Sequence, residues 1–375
     1  MSTIAVAVSG GVDSMVAAFL LKRTGRRIIA LHFRTGFESA SSADADSKAV
    51  PDAIQALGDR LEIPLSVIDL SGEFRETVVD YFAGSYLAGL TPNPCLVCNP
   101  GIKFGALLRH ARLLGADSLA TGHYARLTPD AGGVRLFRGV DPAKDQSYFL
   151  SRLTPDQLAH ARFPLGSMRK TEVRRIAARE ALVPTVTSES QDICFIRNQT
   201  YSDFIARQGI ALPGPGPIVD TEGREIGRHK GLHLYTVGQR RGIDCPAQAP
   251  YYVVGIDREN NRLVVGFRES LGQEAFEVGD VNWIRKPTDF PAAVSVQVRY
   301  RHRGAEASIE PAGTNRVRVR FRSPQKAVAP GQGAVFYIGD EVIGGGWILS
   351  GKGKETRSKK RDQRSKIKDQ REAKG

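Results

Sequence analysis

The chain has 375 residues, 41% of them apolar and 25% charged, with a net charge of +13. That length supports two or three domains with full cores and no disulfide support. No run of about 18 apolar residues is present, which argues against a membrane span.

The first 200 residues alternate strands and helices. Ile4 to Val8 reads as a strand and Met15 to Leu21 as a helix, with Ser9-Gly10-Gly11-Val12-Asp13-Ser14 between them. Paired glycines let the backbone approach an anion, and the following helix aims its free N–H groups at the same point. Ser9 and Ser14 add hydroxyls. A carboxylate at Asp13 beside a phosphate makes sense through a bridging cation such as Mg²⁺. The turn lacks the Gly-Lys-Ser/Thr of a Walker loop. It resembles the pyrophosphate loop (PP-loop) of N-type ATP pyrophosphatases, which GMP synthetases, NAD synthetases and several tRNA-modifying enzymes share.

Further strands are predicted at Arg27 to Phe33, Leu65 to Leu70 and Asp117 to Thr121. Helices are predicted at Pro51 to Leu61, Ile102 to Leu114 and Lys170 to Leu182, the last capped by Thr171. Such alternation implies a parallel sheet whose ligands lie beyond the carboxyl ends of the strands. The Ser9 turn and Gly122-His123 both follow strands, so they can share one crevice. Thr91-Pro92-Asn93-Pro94-Cys95-Leu96-Val97-Cys98-Asn99 reads as a proline-stiffened loop, with Cys98 just ahead of a helix whose dipole favours a thiolate. Cys194 lies in Ile193-Cys194-Phe195-Ile196. It can be a sulfur-handling thiol or a small buried residue beside Phe195. Cys95-x-x-Cys98 alone also fits a zinc half-site or a redox pair.

Pro213-Gly214-Pro215-Gly216-Pro217 marks a boundary, beyond which the pattern is β-rich. Tyr251 to Ile256 and Arg262 to Val265 form a hairpin. Val317, Val319 and Phe321 alternate with Arg316, Arg318, Arg320 and Arg322, the period of a strand facing a core on one side. The arginine face fits either a phosphate backbone or plain solvent. Residues 351–375 carry 11 Lys/Arg against 4 Asp/Glu, which leaves +6 on the rest of the chain. With one Ile and no aromatic residue, this tail cannot bury enough surface to fold alone, and it suits a polyanionic partner. The boundaries expected are 1–208 for a catalytic α/β domain, 209–275 for a β-rich central unit, 276–350 for a C-terminal β-barrel and 351–375 for a basic tail. The chain enters a strand pattern at once, without a signal-peptide pattern. Its four cysteines fit catalysis or metal binding better than structural disulfides, so the cytoplasm is the expected compartment and a monomer the expected state.

Several motifs together are specific: Thr91-Pro92-Asn93-Pro94, Cys98-Asn99, Lys103-Phe104, Ala120-Thr121-Gly122-His123-Tyr124, Lys144-Asp145-Gln146-Ser147-Tyr148-Phe149-Leu150, Ile193-Cys194-Phe195-Ile196, Gly238-Gln239-Arg240, Arg299-Tyr300 and Pro330-Gly331-Gln332. With the Ser9 turn they resemble the tRNA-specific 2-thiouridylases, the MnmA/TrmU family, over roughly residues 4–348. The resemblance implies a PP-loop domain, a central β unit and a β-barrel. It implies ATP on Ala7, Val8, Ser9, Gly10, Gly11, Val12, Asp13 and Ser14, flanked by Phe33 and Gly122, with Mg²⁺. The implied reaction adenylates O2 of the wobble uridine of tRNAs for Lys, Glu and Gln, then replaces that oxygen with sulfur. Cys194 is the implied persulfide carrier and Cys98 the nucleophile and disulfide partner. Asn93, Pro94 and Cys95 would line the target base. His123, Lys144, Asp145, Gln146, Arg299, Tyr300 and Gln332 would contact tRNA. A sulfur donor is implied as a second partner.

Cys95 departs from the family, where an acidic residue is usual. Three thiols, Cys95, Cys98 and Cys194, suit a [4Fe-4S] cluster with one open iron as an alternative to the persulfide route. Residues 34–46 also differ from the family's acidic, aromatic stretch, and Cys245 matches no family role. Another PP-loop tRNA thiolase and a non-catalytic tRNA-binding relative are the alternatives in function.

Overall fold

A computed structural model of the chain describes residues 2–38, 52–184, 193–196 and 199–349. The basic tail, and residues 39–46 of the segment that departs from the family, lie outside the described residues. Strands β1 (Thr3–Ala7), β2 (Arg27–Arg34), β3 (Leu65–Asp69) and β4 (Ser118–Ala120) are followed by a hairpin, β5 (Ala125–Asp130) and β6 (Gly133–Arg138), and by β7 (Ala161–Arg162). A five-stranded parallel sheet runs β3-β2-β1-β4-β7. β1 is buried at all its positions. Its alternate side chains feed two cores: Ile4, Val6 and Val8 pack against the helices Val12–Lys22, Asp52–Leu61 and Lys170–Arg179, while Ala5 and Ala7 join the larger core on the other face. The chain moves outward from β1 to β3, then returns to place β4 on the other side of β1. That reversal is the switch point at which open α/β sheets bind ligands.

Two helix starts differ from the sequence reading. The expected Ile102 helix opens at Cys95 and runs through a π-helical stretch, Asn99–Leu107, to Leu113. Pro94 serves as its N-cap residue, so the prolines start this helix rather than stiffen a loop before it. Pro100 has no N–H to offer, and the Gln157 amide donates to the carbonyls of Pro100 (2.8 Å) and Phe104 (3.1 Å). Cys98 therefore lies inside the first turn, not ahead of it. The Lys170–Arg179 helix is capped at extended Arg169 with no side-chain cap, not by Thr171. The Asp141 carboxylate accepts the Lys170 N–H instead (2.9 Å).

β8 (Gly216–Val219), β9 (Glu225–His229), β10 (Tyr252–Asp257) and β11 (Arg262–Gly266) form a small sheet in the order β10-β11-β8-β9, with β10 and β11 paired as the expected hairpin. The Gly/Pro linker is shorter than read, because Gly216 and Pro217 already belong to β8. The Asn261 amide holds the chain ahead of them by the carbonyls of Gly214 and Pro215.

β12 (Gly272–Trp283), β13 (Ala292–Gln297), β14 (Ala305–Pro311), β15 (Arg316–Lys326), β16 (Gly333–Ile338) and β17 (Glu341–Ile348) close into a six-stranded barrel through β12–β17 pairing. Hairpin β5–β6 adds to β17, so the α/β part and the barrel share one sheet. Glu341, almost fully buried, fixes this junction by accepting bonds from Arg135 and Arg285. On β15 the alternation holds throughout: Val317, Val319 and Phe321 are inside and the arginines outside. Three of those arginines meet carboxylates: Arg318 with Glu277 (3.1 Å), Arg320 with Glu310 (3.6 Å) and Arg322 with Glu306 (2.7 Å). Their charge is partly balanced within the protein.

Candidate active site

The phosphate loop sits at the carboxyl end of β1. Gly10 has φ +78°, a left-handed conformation that favours glycine. Ser14 Oγ accepts from Ser9 N (3.1 Å) and donates to Gly11 O (2.9 Å), which draws the loop into a ring. Buried His32 bonds Val8 O through Nδ1 (2.9 Å), so that nitrogen carries the proton. Val12, Asp13 and Ser14 open the helix, and its first N–H groups have no carbonyl behind them. Gly122, at the end of β4, packs directly on this turn: a Cβ there would lie 2.9 Å from the Asp13 carbonyl carbon. The Ser9 turn and Gly122 thus share one crevice, as their positions after strands predict. Ala7 and Val8 lie buried beneath the loop and Phe33 lies half-buried on adjacent β2. Asp13 is engaged within the protein: the Tyr124 hydroxyl donates to Oδ1 (2.7 Å) and Lys170 Nζ lies 2.7 Å from both carboxylate oxygens.

The Cys95 helix meets the end of β4 through Lys103. Lys103 Nζ is 3.3 Å from His123 Nε2, and His123 Nδ1 is 2.7 Å from Thr121 Oγ1. An ammonium can only donate, so Nε2 is the acceptor and Nδ1–H donates to Thr121. Burial, reinforced by Lys103, pushes the His123 pKa well below the ordinary value and keeps the ring neutral. Cys194 is exposed, while its neighbour Phe195 is buried among Phe37, Phe74, Phe82 and Phe204 with ring centroids 5.2–6.0 Å apart. Phe195 is the anchor and Cys194 the presented group, which excludes the reading of Cys194 as a core residue.

The Cys194 thiol acts on the acidity of both Cys95 and Cys98, and Cys95 on that of Cys98. Cys95 is exposed, yet enough protein surrounds both helix thiols for burial to govern their acidity. Burial and the Cys194 thiol raise Cys95 to about 11, against the pull of Lys103. Burial raises Cys98 to about 12, with Lys103 opposing. The helix dipole does not make Cys98 a standing thiolate. None of the four cysteines is disulfide-bonded. Among the described residues no set of three Cys, His, Asp or Glu side chains is close enough to hold a metal ion, so this arrangement does not itself fit a three-cysteine cluster.

The C-terminal barrel reaches into the site. Thr91 N donates to Pro330 O (2.8 Å), Gln332 Nε2 to Pro92 O (3.1 Å) and the Tyr148 hydroxyl to Gly333 O (3.0 Å). Buried Asn93 donates to Gln332 Oε1 (3.5 Å). Asn93, Pro94, Cys95 and Gln332 are therefore neighbours. Gln146 is tied to the backbone of Tyr124 by its own N–H (2.9 Å) and by Oε1 (3.0 Å). The bond to Oε1 fixes the orientation of the side-chain amide that a base edge would meet. The Asp145 carboxylate accepts from Arg138, Gly139 N and both the N–H and hydroxyl of Ser147, which makes it a brace for the loop that presents half-buried Lys144. Tyr300 packs on Phe149 with centroids 4.4 Å apart and ring planes tilted by 35°, and Arg299 next to it is exposed. Sequence reasoning missed Lys170 as a site residue and gave Lys103, Thr121 and Tyr124 no separate role. Lys170 read only as the start of a helix, more than 150 residues from the loop it serves.

A phosphate loop at a sheet switch point, linked through Gly122 and His123 to a thiol-bearing helix that a β-barrel holds in place, defines a PP-loop α/β protein with two appended β units. Family models match along the chain: "tRNA methyl transferase HUP domain" over residues 2–198, "tRNA methyl transferase PRC-barrel domain" over 202–267 and "Aminomethyltransferase beta-barrel domain" over 273–348. The tRNA-specific 2-thiouridylase MnmA of Desulfosudis oleivorans is 52% identical over 345 residues, 92% of this chain and 94% of that one. Those of Nitratidesulfovibrio vulgaris and Magnetococcus marinus are 48% and 45% identical, each over 92% of this chain and 99% and 98% of theirs. The chain belongs to the tRNA-specific 2-thiouridylase (MnmA) family. Among the described residues no helix is long and apolar enough to cross a membrane.

Proposed function

We propose that this protein is an ATP-dependent tRNA-uridine 2-thiolase. Family membership supports the overall activity. What supports the stepwise reading is a chain of contacts: Gly122 packs on the phosphate loop, its neighbour His123 bonds Lys103, and Lys103 acts on the acidity of Cys95 and Cys98. Residues 1–208 would form the catalytic unit, 209–275 a central module and 276–350 the barrel that docks tRNA. A uracil C2 oxygen is a poor leaving group. In the proposed first step O2 attacks the α-phosphorus of ATP, and the bond to pyrophosphate breaks. The Ser9–Ser14 loop and the helix end hold the phosphates. The Asp13 carboxylate offers an oxygen ligand of the kind Mg²⁺ takes, and a bound Mg²⁺ would supply charge neutralisation on the leaving pyrophosphate.

In the second step the terminal sulfur of a Cys194 persulfide attacks C2 and AMP leaves. The Cys98 thiolate then attacks Cys194 Sγ, which releases 2-thiouridine and leaves a Cys98–Cys194 disulfide for an external thiol to reduce. Lys103 provides the positive charge beside the thiols, and neutral His123 holds Lys103 in place. The target uridine must be turned out of its stack to reach this crevice, as base-modifying enzymes require. Asn93, Pro94 and Cys95 would line its pocket. Lys144, Gln146, Arg299, Tyr300 and Gln332 would meet the anticodon arm of tRNAs for Lys, Glu and Gln, with Asp145 bracing that loop. Exchange of labelled pyrophosphate into ATP, dependent on unmodified tRNA, tests the first step. Exchange only when tRNA is present is the expected result, and its absence overturns the reading. Cys95 is the one feature that favours a cluster-borne sulfur. Anaerobic purification followed by iron and sulfide analysis decides that point, and an iron-free protein that still thiolates tRNA removes the cluster.

A further inference from the structure

The helix that carries Cys95 and Cys98 widens after its first turn. Over Asn99–Leu107 it is π-helical, with backbone bonds that reach five residues back, as from the Leu108 N–H to the Lys103 carbonyl. Side chains five apart on an α-helix point about 140° away from each other. A wider turn brings them toward one face. Cys98 and Lys103 are five apart, and Lys103 reaches His123 (3.3 Å) while acting on the acidity of both Cys95 and Cys98. Such turns are rare, and a break in the regular ladder has an identifiable cause. Here one side chain meets the stretch from outside. Half-buried Gln157, on the short helix Pro155–Ala159, donates Nε2 to Pro100 O (2.8 Å) and Phe104 O (3.1 Å), while its Oε1 accepts from Thr154 N (3.1 Å). Both amide hydrogens and the amide oxygen are thereby engaged. The Pro100 carbonyl also lies so close to Gly105 that a Cβ there would stand 2.6 Å from its oxygen, so a side chain at 105 would displace the same carbonyl.

We propose that Gln157 is a positioning residue for sulfur transfer: by holding the Pro100 and Phe104 carbonyls it fixes the wide turn that keeps Lys103 on the side of the helix that carries Cys98. This rests on the thiol reading above and adds a residue to it. Without the amide, two carbonyls lose a partner, and the helix is released toward the ordinary α register, which carries Lys103 round the axis from Cys98. Gln157 acts through Lys103 and takes no part in bond making itself.

The test is alkylation of Cys98 by iodoacetamide in the full chain with the other cysteines changed to serine, followed from about pH 8 to 10. Gln157→Met should slow alkylation by roughly fivefold or more, and Lys103→Met by a similar factor, because the thiolate fraction follows the nearby charge. Combined, the two changes should slow it little more than either alone, within about twofold. Gln157→Asn keeps the amide but draws it back by one methylene, and should act in the same direction with less change of shape. Thr154→Ala removes the hydroxyl that accepts the Gln157 N–H and leaves the Gln157 side-chain donors in place, so the rate should not change. A full additional effect of Lys103→Met in the Gln157→Met background overturns the proposal. So does an unchanged rate in both Gln157 variants, or equal slowing in Thr154→Ala. With the native cysteines, Gln157→Met should lower kcat for thiolation and leave the KM for tRNA unchanged, and a raised KM with unchanged kcat would also contradict the role. Thiolation at the wild-type rate by Cys98→Ser would overturn the sulfur-transfer reading instead, and would leave the alkylation result standing.

Discussion

The two walls of the crevice are built differently. Beside the phosphate loop the polar side chains are already paired: Ser14 closes the loop and Tyr124 and Lys170 hold Asp13, while Gly122 packs against the turn. On the thiol wall the reactive groups are solvent-facing or protonated, and position comes from neighbours that do no chemistry, such as Phe195 beside Cys194 and the barrel's hold on Thr91 and Pro92. Adenylation needs preorganised charge. Sulfur transfer needs thiols that change partners, so they are left available. The difference predicts that the two walls can be broken separately.

The largest effect should come from Cys194→Ser or Cys98→Ser. Each should reduce thiolation by roughly a thousandfold or more, as loss of a covalent nucleophile does, while tRNA-dependent pyrophosphate exchange stays within a few-fold of wild type. Loss of exchange in either variant would show that the walls are not separable. Next, Asp13→Asn should lower exchange and thiolation together, by about a hundredfold, as removal of one preorganised electrostatic group does. A thiolation defect without an exchange defect would contradict the assignment.

The acidity of Cys98 gives a third test. With its pKa raised to about 12 by burial, the thiolate fraction at neutral pH is small and grows with every step toward alkaline pH. Alkylation of Cys98 in a variant whose other three cysteines are serine should quicken by about tenfold per pH unit from 7 to 10 with no plateau. Lys103→Met should slow it further, because Lys103 is the group that lowers this pKa. A plateau near pH 7 would mean a standing thiolate.

Gln332→Ala should act more weakly, raising the KM for tRNA and loosening Asn93, with a loss of about 1 kcal/mol for the bond to Pro92. The smallest effect belongs to β15. Arg318→Ala and Arg320→Ala should change tRNA affinity by less than about threefold, since both side chains already meet acidic neighbours and are exposed.

The phosphate wall was the more legible in the sequence because its parts are contiguous. Strand, glycines, serines and helix follow one another within Ile4 to Leu21, and each has a local physical reason. The alternation on β15 was legible for the same cause. The thiol wall depends on distant packing. Family resemblance brought Cys98 and Cys194 together, but only the fold shows that Phe195, not Cys194, is the buried member, and that Pro94 starts a helix rather than ending a loop. Lys170 and Lys103 were opaque as site residues because a lysine at a helix start or in a helix face has many ordinary uses. The shared sheet between β6 and β17 could not be read either, since the two strands lie some 200 residues apart.

The most direct test of the account is nucleoside mass spectrometry of unmodified tRNA after incubation with the purified chain, ATP, Mg²⁺ and a persulfide donor. Formation of 2-thiouridine at the wobble position, one AMP released for each sulfur inserted and none without ATP, is the predicted result. Unchanged uridine at that position under these conditions, with the protein folded and ATP bound, would contradict it.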